Sequence, residues 1–202
     1  MNSPSVISAC RVGLATATVA VMATLACAIP AQGAALPAVP ESWKFRLDPD
    51  DAGHQEKWFD LDVDDSDWRN VTIGATWESQ GIDYDGVAWY RVRMTLPETP
   101  ENKRLIMQFG AVDEEAWIFV NGVPAGEHAK GEDGWASPFN IDLTKHAKAG
   151  EPNLIAVRVY DRRMAGGIWK PVTLQFVADK DSPWAQTADG KHTLQREHAL
   201  KE

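Results

Sequence analysis

Apolar residues alternate with polar ones in a series of short stretches between residues 86 and 176. In the stretch GVAWYRVRMTL, residues 86–96, every second residue from Ala88 to Leu96 is apolar. Side chains of a strand point alternately to opposite faces, so this face is predicted to lie in a core. Five later stretches alternate in the same way, with apolar positions at Leu105, Met107 and Phe109; Ala116, Ile118 and Val120; Phe139, Ile141 and Leu143; Ile155, Val157 and Val159; and Val172, Leu174 and Phe176.

Turn signals separate these stretches and favour an all-β fold. Asn121-Gly122 stands between two alternating runs, which is the strongest sequence signal for a tight hairpin. No window of 12 residues in this part of the chain carries a helical apolar stripe. Many short strands joined by Gly, Pro and Asn turns predict a β-sandwich or jelly roll.

Trp89 lies on the opposite face of the first strand, beside Arg91 and Arg93, where the pattern predicts contact with water. An indole there either stacks on a ligand or is covered by another part of the protein. A covered indole whose N–H finds a hydrogen-bond partner is the commoner arrangement. We therefore predict that Trp89 packs under a loop or a neighbouring domain and does not bind sugar.

Residues 1–33 differ from the rest of the chain. Arg11 is their only charged side chain, an apolar run follows from Val12 to Ala28, and small residues occupy Ala31 and Gly33. This pattern predicts a secretory signal peptide, and therefore a secreted or periplasmic protein. Lipidation at Cys27 fits less well because a threonine stands three positions before it, and a membrane span would need a longer uninterrupted run.

The remaining residues divide by composition into a short linker (34–42), a domain (43–178) and a polar tail (179–202). The chain holds 20 basic and 29 acidic residues, a formal charge of −9, which argues against a nucleic-acid partner. Both cysteines lie in the predicted signal peptide, so the domain is predicted to have no disulfide. The length of the chain after the predicted signal peptide suits one domain with its own hydrophobic core.

Four segments resemble the N-terminal sugar-binding domain of family 2 glycoside hydrolases, such as β-galactosidase and β-glucuronidase. They read DDSDWRNVTIGATWESQGIDYDGVAWYRVRMTLP, LIMQFGAVDEEAWIFVNGVPAGEH, PFNIDLT and NLIAVRVYDRRMAGGIWKPVTL, and the match runs from about Trp43 to Phe176. The resemblance implies a single galactose-binding-like jelly-roll domain. It also implies that the family's catalytic glutamates lie in a separate barrel, so it brings neither an acid/base nor a nucleophile to this chain.

Other catalytic or metal-binding chemistry has little support in the sequence. The acids concentrate in DPDD, DLDVDDSD and VDEE, and such runs are predicted to be solvated turns. No nucleophile elbow, zinc-protease motif or phosphate loop is present, and the histidines lack ligand spacing. No cofactor is predicted. DPDDAG and DLDVDD both fail the EF-hand pattern for calcium. The resemblance nevertheless leaves open a structural calcium of the kind that galactose-binding-like domains often carry, held partly by backbone carbonyls.

Three loops combine aromatic rings with planar hydrogen-bonding groups, as sugar recognition requires. The candidate carbohydrate-binding residues are Trp77 and Tyr84 in the first loop, His128 and Trp135 in the second, and Asp161, Arg162 and Trp169 in the third. Trp169 follows Gly166-Gly167 and is predicted to be the most exposed aromatic residue. Asp161 continues the inward parity of its strand, and either contacts sugar or braces a loop through backbone N–H groups. His128 is predicted to stabilise a turn in preference to binding a ligand.

Two functional hypotheses follow. In the first, the chain is a secreted, non-catalytic carbohydrate-binding module that acts alone. In the second, it is an accessory or remnant domain that docks on a separate glycoside hydrolase barrel, and its aromatic rim is a protein interface. Hydrolysis by this chain itself is disfavoured because no catalytic domain is recognised.

Overall fold

The computed structural model describes residues 35–181, so the predicted signal peptide and most of the polar tail lie outside the described residues. Within this range nine β-strands are joined by turns and three short 3-10 segments. The strands are β1 (Ser42–Leu47), β2 (Arg69–Thr72), β3 (Gly86–Thr95), β4 (Lys103–Phe109), β5 (Glu115–Val120), β6 (Val123–Ala129), β7 (Phe139–Asp142), β8 (Pro152–Asp161) and β9 (Val172–Ala178).

The strands form two antiparallel sheets, one of six strands in the order β2-β1-β3-β8-β5-β6 and one of three in the order β7-β4-β9. The main core contains the apolar positions of the alternating stretches, including Tyr90, Phe109 and Val157. Since each strand exposes only one parity to this core, the alternation in the sequence and the packing agree. The predicted all-β sandwich is confirmed.

The predicted hairpin at Asn121-Gly122 is also confirmed. It joins β5 to β6, with Val120 opposite Val123. Both turn residues have positive φ, 53° at Asn121 and 82° at Gly122. Two consecutive positive φ angles define the tight turn that matches strand twist, which explains the Asn-Gly pair.

A second, smaller hydrophobic cluster lies on the other face of the six-stranded sheet, beneath the segment 48–68. Trp89 is fully buried in it and packs near Trp58, Phe59 and Phe119. The Trp89 indole N–H donates to the Asp48 carboxylate at 2.9 Å. Trp89 therefore packs under a loop with its N–H bonded, as predicted.

Arg91 lies on the same face of β3 as Trp89, and its predicted contact with water is wrong. Its alternation with apolar residues predicted contact with water, yet its side chain is completely buried. The guanidinium donates to the Asp65 carboxylate at 2.8 Å and to the backbone carbonyls of Trp58, Asp60 and Val63. One arginine thereby satisfies several carbonyls of the segment 48–68, which explains how an irregular loop can cover a sheet face.

Residues before the first strand also contact the sandwich. Leu36 and Val39 pack against the main core, and the Trp43 indole N–H donates to the carbonyl of Pro40 at 2.7 Å. Residues 35–41 thus contribute to the packing.

No helix within residues 35–181 is long and apolar enough to cross a membrane.

Candidate functional site

The three loops chosen from the sequence meet at one end of the sandwich. The backbone N–H of Trp77 donates to the carbonyl of Gly166 at 3.0 Å, which joins the first loop to the third. The Trp169 indole N–H donates to the carbonyl of Trp135 at 2.8 Å, which joins the third to the second. A fourth segment, just before β5, joins them because the Asp113 N–H donates to the carbonyl of Gly167 at 3.0 Å.

These segments enclose a cleft of about 450 Å³. Two of the predicted site residues, Trp135 and Trp169, line it, with their rings stacked at 5.5 Å between centroids. The prediction that Trp169 is the most exposed aromatic residue is wrong: Trp135 is 52% exposed, while Trp169 is half-buried. The complete lining is Thr76, Asp113, Glu114, Glu132, Trp135, Arg163, Met164, Ala165 and Trp169.

Trp77 and Tyr84 do not lie on the cleft wall. Trp77 is fully buried in the main core, where its indole N–H donates to the Tyr90 hydroxyl at 2.5 Å. Tyr84 is half-buried with its ring 6.0 Å from that of Trp77. A Cβ at Gly166 would collide with the Trp77 ring, so the glycine lets the third loop lie directly on the indole. The placement of these two aromatics on the rim is therefore corrected.

His128, another candidate residue, does not line the cleft either. Its ring is buried and stacks on Phe139 at 4.4 Å between centroids. Its Nε2 lies 3.1 Å from the carbonyl of Gly134, and burial lowers the pKa of the imidazole. This contact braces the turn before Trp135, which agrees with the predicted turn-stabilising role.

Asp161 points inward from the end of β8, as its parity predicted, and is fully buried. Its Oδ1 accepts a hydrogen bond from the Arg163 N–H at 3.0 Å, so of the two interpretations the loop brace is the one seen. Its Oδ2 has no partner among the described residues and lies under Gly166. Burial raises the pKa of Asp161 to about 7, although the Arg163 N–H acts in the opposite direction.

Arg162 lies beside the cleft and not in it. Its guanidinium pairs with Glu115 at 3.0 Å and with Glu114 at 3.3 Å. One of these two ion pairs neutralises a carboxylate of the cleft.

Two acidic residues that the sequence predicts to be solvated line the cleft. Asp113 and Glu114, in the run VDEE, are only 8% and 4% exposed. Burial, with a smaller contribution from Glu114 and Glu78, raises the pKa of Asp113 to about 6. Glu114 has the same parity as the inward-facing Ala116 and Ile118, so the alternating pattern could have predicted its burial. Asp113 has the opposite parity, and no sequence pattern predicts its burial.

The chain is similar to parts of known β-glucuronidases and β-galactosidases. A β-glucuronidase of Formosa agariphila is 29% identical over 136 residues, 60% of this chain and 13% of that protein. A β-galactosidase of Thermoanaerobacter pseudethanolicus is 33% identical over 112 residues, 48% of this chain and 14% of that protein. The solved structure of a β-glucuronidase from glycoside hydrolase family 2 superposes with a TM-score of 0.57 and 25% identity, over 70% of this chain and 17% of that one.

The chain resembles part of a family 2 glycoside hydrolase. No model of a protein family matches it. It spans less than a fifth of the length of the three proteins just described, so the family 2-like domain corresponds to a small part of each of those proteins.

Within residues 35–181 of this family 2-like domain, no group of three or more His, Cys, Asp or Glu side chains is placed to hold a metal ion. In the run DPDD, Asp48 accepts hydrogen bonds from the N–H groups of Ala52 and Gly53, and Asp51 pairs with Arg158 at 2.8 Å. In the run DLDVDDSD, Asp65 binds Arg91. These carboxylates hold the loop 48–68, so the solvated-turn interpretation is corrected for Asp48 and Asp65.

The raised pKa of Asp161 predicts that its carboxylate destabilises the folded family 2-like domain above neutral pH. Because its folded pKa lies above the value of about 4 in an unfolded chain, the native state binds more protons between these values. Stability from the protonated form is complete below about pH 4 and is lost as the pH rises through 7. Asp161→Asn is expected to raise the midpoint of thermal unfolding by about 5 °C at pH 8, on the order of 2 kcal/mol.

The difference between Asp161→Asn and the unaltered protein is the quantity to measure, at pH 5 and pH 8. Burial lowers the pKa values of His54 and His128, so these two residues make the folded state more stable as the pH rises. Their contribution is the same in both proteins and cancels in the difference. Asp50→Asn changes the same charge at an exposed position and is the matched control. An Asp161→Asn effect as large at pH 5 as at pH 8 would contradict the assigned pKa.

Proposed function

We propose that this chain is a secreted, non-catalytic carbohydrate-binding module that holds its sugar in the cleft at the loop end of the sandwich. The observation that carries the proposal is the stacked pair of Trp135 and Trp169 beside the polar groups of Asp113 and Arg163. A pyranose ring has apolar C–H patches between its hydroxyls. Indole faces match these patches, while carboxylates and guanidinium groups accept from and donate to hydroxyls.

The non-catalytic part of the proposal rests on the resemblance. Family 2 relatives are named as glycoside hydrolases, and the resemblance assigns their catalytic glutamates to a barrel outside the matched segment. The apolar run Val12–Ala28 with its single charge at Arg11 supports export. The resemblance favours a binding role for the domain, and the apolar run favours secretion.

Trp135→Ala should abolish detectable sugar affinity while the domain stays folded. Trp135 is half-exposed, so its loss leaves no buried cavity, whereas removal of a stacking aromatic commonly costs on the order of 1–3 kcal/mol of binding free energy. That range corresponds to a roughly 5- to 150-fold loss of affinity, enough to move a millimolar site out of reach. Titration calorimetry with sugars found on a glycan array, together with a thermal melt, measures both effects. Trp169→Ala is expected to act in the same direction, because the Trp169 indole N–H also holds the Trp135 backbone.

Trp117→Ala is the matched control, because Trp117 is a partly exposed tryptophan on the opposite face of the six-stranded sheet, beside Arg158. Its sugar affinity should equal that of the unaltered domain. Equal binding by Trp135→Ala and the unaltered domain would remove the cleft as the sugar site.

One observation favours the second candidate, docking on a separate catalytic barrel. Met164 is 81% exposed at the cleft, beside the half-exposed Trp135, and together they offer an apolar surface. In that case the glycan array would yield no ligand, and the domain would instead elute in a complex with a family 2 barrel during size-exclusion chromatography.

A further inference from the structure

The charges that line the cleft are unequally compensated. Glu132 pairs with Arg163 at 2.6 Å, and Glu114 lies 3.3 Å from Arg162. Asp113 has neither a cation nor a hydrogen-bond donor against its carboxylate among residues 35–181, although the residue is only 8% exposed and lines the cleft. Asp113 is therefore the one carboxylate of the described lining whose charge no arginine neutralises.

Further carboxylates surround Asp113 and increase the negative potential. Glu78 and Glu114 both act on it electrostatically, and Asp113 in turn acts on Asp161. Glu78 and Asp161 each have a buried oxygen without a partner among the described residues. A buried charge without a partner is costly, so a cation that enters the cleft would recover part of this energy.

The aromatic wall restricts what kind of cation fits. A cation held near an indole face gains a cation–π attraction. The two indoles stack on each other and the Lys170 ammonium group already lies 4.4 Å from the centre of the Trp169 ring, so the rest of the ligand must cover the free face of Trp135. A cleft of about 450 Å³ suits a small organic molecule, and the described residues hold no metal-binding cluster. A sugar that carries an ammonium group meets both conditions.

We propose that the cleft prefers a hexosamine with a free, protonated amine, whose ammonium group pairs with Asp113 while its ring stacks on the Trp135–Trp169 pair. The inference rests on the proposed sugar-binding function and adds the sugar class. It also excludes uronic acids as good ligands, because their carboxylate would face Asp113 and Glu114, and like charges in a partly buried site repel.

Four methyl glycosides test the preference by titration calorimetry near pH 7, where Asp113 is largely ionised. They are methyl β-glucosaminide, its N-acetyl form, methyl β-glucoside and methyl β-glucuronide. The aminosugar should bind about tenfold more tightly than the N-acetyl form and the neutral glucoside, and the glucuronide should bind most weakly. N-acetylation removes the positive charge and keeps the ring, so it isolates the ammonium group.

Asp113→Asn should remove the preference, so that the aminosugar and the glucoside bind equally within about twofold. The substitution keeps the shape and removes a buried charge, so the domain is expected to stay folded. Asp50→Asn removes the same charge from an exposed position and should keep the tenfold preference.

Titration of the unaltered domain at pH 5 gives the same test without a substitution. Protonation of Asp113 should reduce the preference, and the charged groups around it are Glu78, Glu114, Glu132 and Asp161 with Arg162 and Arg163. Burial lowers the pKa of the His128 imidazole, which lies under the same loop.

The outcomes separate the two proposals. Equal affinity for the aminosugar and its N-acetyl form, with both lost in Trp135→Ala, would overturn the hexosamine preference and leave the sugar site in place. No binding by any of the four glycosides or by the glycan array would overturn both. A preference that survives in Asp113→Asn would overturn the assignment to Asp113.

Discussion

Replacing Arg91 with methionine is expected to lower the free energy of unfolding by about 3–5 kcal/mol. Methionine nearly fills the space but donates no hydrogen bonds. The Asp65 carboxylate, whose side chain is only 13% exposed, would lose its buried partner, and the carbonyls of Trp58, Asp60 and Val63 would lose their donors. Buried polar groups without partners cost their full desolvation energy, which exceeds the net worth of the bonds themselves. Urea denaturation followed by tryptophan fluorescence measures the change.

Arg93→Met is the matched control for this prediction. Arg93 binds the same Asp65 oxygen at 2.7 Å, but its side chain is 43% exposed. Exposed ion pairs contribute about 0–1 kcal/mol, so the loss should stay below about 1 kcal/mol. Arg91→Lys should fall near Arg91→Met, since a single ammonium group cannot reach a carboxylate and three carbonyls on different sides. Similar losses for Arg91→Met and Arg93→Met would mean that the buried guanidinium does not organise the segment 48–68.

Trp89→Ala is expected to destabilise the domain by about 3–5 kcal/mol. Trp89 is fully buried against Trp58, Phe59 and Phe119, so truncation opens a large cavity between the sheet and its covering loop. The Asp48 carboxylate also loses the indole N–H, although it keeps the backbone donors of Ala52 and Gly53. Thermal melts and urea denaturation should both show the loss, while sugar affinity of the folded fraction stays unchanged.

Trp89→Phe separates the two contributions. It keeps most of the apolar contact and removes only the N–H, so a loss of about 1–2 kcal/mol is expected. If Trp89→Ala left the melt unchanged and removed sugar binding, Trp89 would be the ligand-binding tryptophan and the cleft would lose its role.

The strands of this domain were predictable because the period of two reports which side chains a sheet buries. The inward positions of β3, β4, β5 and β8 all enter the main core, and Asp161 follows the same parity into the protein. Asn121-Gly122 was predictable for a different reason. Its turn needs two positive φ angles, which few residue pairs adopt.

The candidate site was predictable only in part. The three loops chosen from the sequence do meet at the cleft, yet a fourth segment supplies Asp113 and Glu114, and of seven candidate residues Trp135 and Trp169 alone line it. Loops have no repeating parity, so the depth of Trp77 depends on Gly166, a residue 89 positions later that lies against its ring. No local pattern carries that information.

By itself the sequence determined the inward positions of β3, β4, β5, β7, β8 and β9, the hairpin and the inward direction of Asp161, because these follow from backbone geometry over a few neighbouring positions. Only the tertiary structure decided that Arg91 is buried, that Asp113 is enclosed and unneutralised, and that Trp135 is the exposed ring. A charge is solvated or buried according to which distant segment covers it. For Arg91 that cover is the segment 48–68, whose carbonyls the guanidinium binds. For Asp113 it is the third loop, held by the bond from the Asp113 N–H to Gly167. Burial depends on such long-range contacts, so a local acidic run such as VDEE predicts solvent exposure even where the folded protein buries it.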